Sequence, residues 1–126
     1  MIGVTSQTAI YAWCEPTDMR RGFEGLSAMV RNGMGRDPLD GSLFLFTNRR
    51  RTHAKVLHFD GSGLCVFAKR IEKGRFAALW KIAKHNMIHL TKAELDLFLS
   101  GSHLVGKYRL APEGLDDKDL AVRSRM

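Results

Sequence analysis

The chain has 126 residues, 44% of them hydrophobic and 26% charged, with a formal net charge of +7. This is one domain's worth of chain in ordinary globular proportions, which excludes a collagen-like, wholly disordered or disulfide-scaffold protein. The longest stretch without a charged residue, 1–14, is broken by Thr5, Ser6, Gln7 and Thr8; it is too short and polar to span a bilayer, and it lacks the basic start of a signal peptide.

Ala9 to Trp13 is a short apolar run closed by Glu15-Pro16 and reads as a strand. Pro16-Thr17-Asp18 has the form of a helix start, where Thr17 can cap and Asp18 sets an anion in the positive first turn. Met19, Phe23, Leu26 and Val30 follow at i, i+4, i+7 and i+11, which predicts a helix over about 18–32 with one apolar stripe. Gly22 and Gly25 each cost about 1 kcal/mol against Ala in such a helix. They point to close packing on another backbone, a kink being the alternative. Gly33 and Gly35 end the helix.

Asp37 to Gly41 is a turn cluster. Ser42 to Asn48 reads as a strand whose nearly continuous apolar run, Leu43 to Phe46, implies cover on both faces. Arg49-Arg50-Arg51 connects it to a second strand, His53 to Asp60, and Asp60-Gly61-Ser62-Gly63 is a hairpin turn leading into a third, Leu64 to Ile71. Phe76 to Lys84 has helical spacing, and Met87 to Leu90 reads as a short strand. Thr91-Lys92-Ala93-Glu94 has the form of a capping box heading a helix that runs to Gly101. From Ser102 the chain turns polar, which predicts a weakly ordered tail over 102–126 behind a domain at 1–101. The order of elements predicts an α+β fold. An antiparallel sheet, made of the three-strand meander over about 42–71 plus the N-terminal strand, is packed by helices near 18–32 and 91–101. The strand at 9–13 is expected at an edge, where it is available to pair with a second copy.

The charge is concentrated. Residues 1–40 carry a net −1, residues 41–90 a net +8 and residues 91–126 none. A basic segment of this kind is the footprint of a polyanion binder, or else a solvated surface. Arg49, Arg50 and Arg51 follow the first strand of the meander; Lys69, Arg70, Lys73 and Arg75 lie at the end of the third. The first and third strands of a meander run parallel, so both groups are expected at one sheet end, suited to following a phosphate backbone, with Lys55 on the strand between. Phe67 and Phe76 nearby are candidates for base stacking, with core packing as the alternative.

Catalytic patterns are thin. His85 and His89 share helical spacing, but a strand at 87–90 breaks it, so no metal or other cofactor is expected. Cys14 and Cys65 have no neighbouring His and orienting group, and read as reduced thiols of a cytoplasmic protein. A nuclease would need clustered carboxylates. Asp18 and Asp60 are explained by a helix start and a hairpin, and Asp116, Asp117 and Asp119 fall in the tail.

The run Pro16-Thr17-Asp18-Met19-Arg20-Arg21-Gly22-Phe23-Glu24-Gly25-Leu26 resembles the opening motif of a bacterial transposon accessory family. That family is the second reading frame, called TnpB, of the insertion sequence 66 group; it is distinct from the RNA-guided nuclease of the same name. Leu43 to Phe46 with Asn48-Arg49-Arg50, Lys55-Val56-Leu57, Asp60 to Gly63, Cys65, Lys69 to Phe76, and Leu90-Thr91 with Leu95 and Leu99 to Gly101 are similar in order. The chain departs from the family's usual aromatics near His58, Phe59, Phe67 and Ala68. The resemblance implies an accessory role in DNA transposition beside a separately encoded recombinase, and carries over no catalytic residue. Its expected partners are DNA, the transposon ends in particular, and the recombinase and other proteins of the same element. No membrane is expected, and the expected location is the bacterial cytoplasm, at the nucleoid. The first function weighed is non-enzymatic DNA binding; the second is a protein-interaction module without DNA contact, through the helix at 91–101 or that at 18–31. The third is a metal-dependent nuclease using Asp18 and Asp60.

Overall fold

Residues 4–101 are described by a computed structural model; the tail expected over 102–126 lies outside them. Five strands form one sheet: β1 (Ile10–Trp13), β2 (Leu43–Thr47), β3 (His53–Phe59), β4 (Leu64–Arg70) and β5 (Met87–Leu90), in the order β4-β3-β2-β1-β5. The meander is present with its expected antiparallel pairs, Phe44 opposite Leu57 and Leu57 opposite Val66. The Asp60–Gly63 hairpin closes as its sequence demands. Asp60 Oδ1 accepts from the backbone N–H of Ser62 (2.9 Å) and Gly63 (3.0 Å), and Gly61 takes the positive φ of 103° that glycine tolerates.

β1 corrects the edge-strand expectation. It pairs in parallel with β2, Ile10 opposite Leu43, and antiparallel with β5, Ile10 opposite Leu90. It is interior because β5, the short strand after the second helical stretch, returns to its free side. Among the described residues the edges of the sheet are therefore β4 and β5. Between β1 and β2 the chain crosses one face through α1 (Phe23–Ala28), continued by a wider π-type turn over Met29–Gly33. The other face carries the single turn α2 (Leu79–Ile82) and the helix α3 (Lys92–Leu99).

Strand alternation splits the core in two. Tyr11, Trp13, Phe44, Phe46 and Leu57 face α1 and meet Leu26, Val30 and Met34. Ile10, Ala12, Leu43, Leu45 and Val56 face the opposite way and meet Phe76, Leu79, Leu95 and Phe98. β2 is buried along its whole length, as its unbroken apolar run requires. Phe76 and Phe98 stack with ring centroids 5.1 Å apart. Each such ring contributes about 1.5–3 kcal/mol by burial.

The first helix starts five residues later than its sequence pattern suggests. The Thr17 N–H donates to the Thr47 carbonyl (2.9 Å), so residues 15–17 pack against the end of β2, and Asp18 instead binds the Arg20 N–H in a local turn (2.9 Å). Gly22 takes the N-cap position without a side-chain cap. Phe23, the second residue of the expected stripe, consequently sits at the helix mouth and is 50% exposed. Gly22 and Gly25 do not mark a close backbone approach: a Cβ on Gly22 would meet nothing, and one on Gly25 only the Arg21 side chain. The close approach is at Gly33, where a Cβ would meet the Trp13 indole at 3.3 Å. Phe76 to Lys84 contains only one helical turn. The Phe76 N–H is taken by the Arg51 carbonyl (2.8 Å), and Ala78 and Ala83 are extended on either side of the turn. The capping box forms in full: the Thr91 hydroxyl accepts from the Glu94 N–H (3.1 Å), and the Glu94 carboxylate accepts from the Thr91 N–H (2.8 Å).

Candidate nucleic-acid interface

Strand directions decide which loops share an end. β2 finishes at Thr47 and β3 begins at His53, opposite Arg70, the last residue of β4. The segments 48–52 and 71–76 therefore lie together. They are stitched by the Ile71 N–H to the Thr52 carbonyl (2.9 Å) and the Phe76 N–H to the Arg51 carbonyl (2.8 Å). β1 runs parallel to β2, so it delivers residues 14–22 to the same end; β5 begins there, opposite Trp13, and brings residues 83–86. The Cys14 N–H donates to the Asn86 carbonyl (2.7 Å) and joins these two segments. Arg20, Arg21, Arg49, Arg50, Arg51, Arg70, Lys73, Arg75 and Lys84 thus emerge at one end of the sheet. The opposite end holds Asp37, Asp40, Asp60 and Glu94 beside Arg36 and Lys92, giving the molecule an electrostatic axis along its strands.

The 48–52 loop is built around Asn48. Its Oδ1 accepts from the Thr52 N–H (2.9 Å) and the His53 N–H (3.0 Å), while its carbonyl accepts from the Arg51 N–H (3.0 Å). This tight turn sets Arg51 at φ 62°, a left-handed conformation that costs a residue with a Cβ about 1–2 kcal/mol. The turn lifts Arg49 and Arg50 to its tip, exposed and with no side-chain partner among the described residues. Arg51 is half-buried and directs its guanidinium at the Phe76 carbonyl (3.4 Å).

The remaining basic residues divide by what they touch. Lys55 Nζ donates to the carbonyls of Met19 and Arg21 (2.8 Å each), pinning the 15–22 segment to β3. Lys69 Nζ donates to the Leu99 carbonyl (2.7 Å) at the C-terminus of α3, where a cation complements the helix dipole. Both ammonium groups are committed to backbone. Arg70 pairs with Glu72 (3.0 Å) and Arg20 with Asp18 (2.7 Å), both pairs exposed and worth little in stability. Lys73 and Arg75 are exposed without partners among the described residues. A groove of about 260 Å³ opens beside these loops, lined by Met19, His53, Lys55, Ala68 and Arg70 among others. The sequence places the two arginine-rich loops at one sheet end, as the strand directions do, but not Arg20, Arg21 and Lys84 beside them. Their arrival depends on the parallel β1–β2 pair and on β5, which leave no local signal.

The aromatic and acidic candidates are placed as clearly. Phe76 is fully buried against Phe98 and out of reach of a base, whereas Phe67 on β4 is 40% exposed. Asp18 and Asp60 lie at opposite ends of the sheet, too far apart to share a metal ion. The Arg20 guanidinium and N–H hold the Asp18 carboxyl down to about 2. The backbone N–H groups of Ser62 and Gly63 hold that of Asp60 to about 2. No three His, Cys, Asp or Glu side chains gather in a metal-binding group among the described residues. Burial pushes the Cys14 thiol up to about 12, an inert state for a nucleophile. His89 lies on β5 with its ring edge-on to Tyr11 (4.4 Å), away from helical register with His85. No described helix is long and apolar enough to cross a membrane.

The chain is 42% identical over 85 residues to an uncharacterized protein, y4hO, of Sinorhizobium fredii, covering 68% of this chain and 72% of the relative. It is 32% identical over 101 residues to a second, y4jC, of the same organism, covering 80% and 85%. No solved structure matches. A family model described as IS66 Orf2 like protein matches residues 8–108, a span that takes in all five strands and all three helices. The chain therefore belongs to the IS66 Orf2-like family of transposon-associated accessory proteins.

Proposed function

We propose that this chain holds duplex DNA on its basic sheet end during transposition, acting beside a separate recombinase and supplying no catalytic group. The observation that carries the reading is the convergence of four connecting segments, each bearing Arg or Lys, on that one end. Five strands at about 4.8 Å spacing make an end about 20 Å wide, enough to follow about six base-pair steps at about 3.4 Å each. Arg49, Arg50, Lys73 and Arg75 project freely and meet phosphates; Arg51 and Arg70 add charge from the loop bases. Lys55 holds the 15–22 segment in place, whereas Lys69 is spent on the end of α3. Contacts of this type position DNA and carry no sequence information by themselves.

Fluorescence anisotropy with a labelled transposon end and a scrambled duplex, each at low and near-physiological salt, tests the reading. Tight, salt-sensitive binding to both is expected. Absence of binding at low salt would reject it. A second reading, docking of another transposition protein on α1, is favoured by Phe23 (50% exposed) at the helix mouth. Co-purification with the recombinase in the presence of nuclease, lost in Phe23→Ala, would support that instead.

A further inference from the structure

We propose that the free edge of β4 pairs antiparallel with β4 of a second copy, about a two-fold axis at Phe67. β4 is seven residues long, against four for the other edge, β5. Its middle, Cys65 to Ala68, has no charge and no proline, and its register with β3 runs without a bulge from Leu64 to Arg70. Native proteins usually protect a long edge with such devices, so an edge whose middle lacks them, with its charges confined to Lys69 and Arg70 at one end, is a pairing template.

The hydrogen-bond parity fits this axis. The Asp60 N–H bonds the Gly63 carbonyl (3.1 Å) and the Ile71 N–H bonds the Thr52 carbonyl (2.9 Å). Counting in twos from those pairs, Cys65, Phe67 and Lys69 bond inward to β3, leaving the N–H and C=O of Val66 and Ala68 facing outward. Pairing about Phe67 sets Val66 of one copy opposite Ala68 of the other as hydrogen-bonded pairs. Phe67 then faces its symmetry mate in the closer, non-bonded register, where an aromatic pair contributes most.

The charges say why the occupant is this chain itself. In that register Lys69 of one copy falls opposite Cys65 of the other, on the same face. Cys65 Sγ lies 3.6 Å from the Asp60 carboxylate, an exposed anion at the hairpin. Arg70 falls opposite Leu64, beside the same hairpin. The basic end of each strand thus meets the acidic end of its mate at both ends of the pair, and no like charges face each other. Arg70, whose pair with Glu72 is exposed, is nearest to exchange partners, and Lys69 stays on the Leu99 carbonyl. Phe67, 40% exposed in the single chain and bordering a cavity of about 220 Å³ with Leu43, Leu95 and Leu99, becomes covered. The two basic sheet ends then point in opposite directions.

Sedimentation velocity of the full chain across the micromolar range is expected to show a concentration-dependent dimer. Ala68→Pro removes an outward N–H that no described residue of the single chain uses. It is expected to keep the circular dichroism of the parent and to raise the dimer Kd about tenfold or more, the loss being counted twice by symmetry. Phe67→Cys, with Cys65→Ser, is expected to form a covalent dimer on mild oxidation, since non-bonded partners about 4.5 Å apart lie within disulfide reach. A chain that stays monomeric overturns the proposal. Protected Val66 and Ala68 amides in that monomer would show the edge covered by the chain's own residues. A dimer insensitive to Ala68→Pro and refractory to the Phe67→Cys cross-link overturns it as well, and moves the interface elsewhere.

Discussion

Arg49 and Arg50 offer the sharpest separation between free and committed charge. Both project from the tip of the Asn48 turn with no side-chain partner among the described residues, so replacing them with Ala leaves the turn's hydrogen bonds in place. If each neutralises one phosphate, the double variant lowers the magnitude of the salt slope of log K by about 1.8. Between about 50 and about 200 mM salt the parent then loses about twelvefold more affinity than the variant, so their curves converge as salt rises. Lys69→Met is the control: its ammonium sits on the Leu99 carbonyl, so the slope is expected to stay while stability falls. Anisotropy titrations at four or more salt concentrations read both quantities. An unchanged slope in the Arg49/Arg50 variant, or an equal change in Lys69→Met, would refute the assignment of phosphate contact to the loop tips.

Lys55→Met removes both hydrogen bonds to the Met19 and Arg21 carbonyls and is expected to cost about 1–2 kcal/mol in urea unfolding. It should also weaken DNA binding indirectly, by releasing Arg20 and Arg21. Phe76→Ala empties a fully buried, stacked site and is expected to cost about 3–5 kcal/mol. Phe67→Ala, at an exposed edge, should cost well under half of that by the same assay, and near-equal losses would contradict the burial described here. The Asp60 carboxyl is held at about 2 against an ordinary 3.8 by N–H groups of its own turn. A depressed carboxylate stabilises the fold above the ordinary value, and the contribution fades as pH falls through the folded one. Stability should therefore decline between about pH 4 and pH 2, with Asp18 contributing in the same direction. Asp60→Asn is expected to flatten its own share of that decline, and an NMR titration placing Asp60 near an unperturbed value would contradict the turn geometry.

Local chemistry made much of the fold legible. The capping box at Thr91, the hairpin at Asp60 and the buried run of β2 are each determined by residues within a few positions of one another, and each forms as read. The misreadings share a cause in distant partners. Thr17 carries every local mark of a helix cap, yet its N–H finds the Thr47 carbonyl, thirty residues away, and the helix waits until Phe23. Phe76, Leu79 and Ala83 keep helical spacing because all three reach the same core, while the Arg51 carbonyl and extended residues on both sides limit the helix to one turn. β1 looked like an edge because nothing near residues 9–13 announces that β5 will pair on its far side.

The basic end follows the same division, and this bears on how its residues should be weighed. A meander fixes the relation of its first and third strands by topology alone, so the convergence of Arg49–Arg51 with Arg70–Arg75 could be inferred without coordinates. Charge count could not separate Arg50 from Lys69, because the distinction is a single carbonyl on α3 within reach of one and not the other. Nor could it bring in Arg20 and Arg21, which depend on a parallel strand pair and on the Lys55 ammonium that ties their loop down. Positive charge at this end is therefore not of one kind, although the side chains are of the same type and a few residues apart. Lys55 closes backbone carbonyls and holds a loop, and Arg20 and Arg70 pair with Asp18 and Glu72. Arg49, Arg50, Lys73 and Arg75 have no side-chain partner among the described residues. If this end binds DNA as proposed, affinity comes from the free arginines and lysines while Lys55 and the backbone hydrogen bonds keep the segments at a common end. That is why the effect of Lys55 on DNA binding should track its effect on stability, and the effect of Arg49 and Arg50 should not.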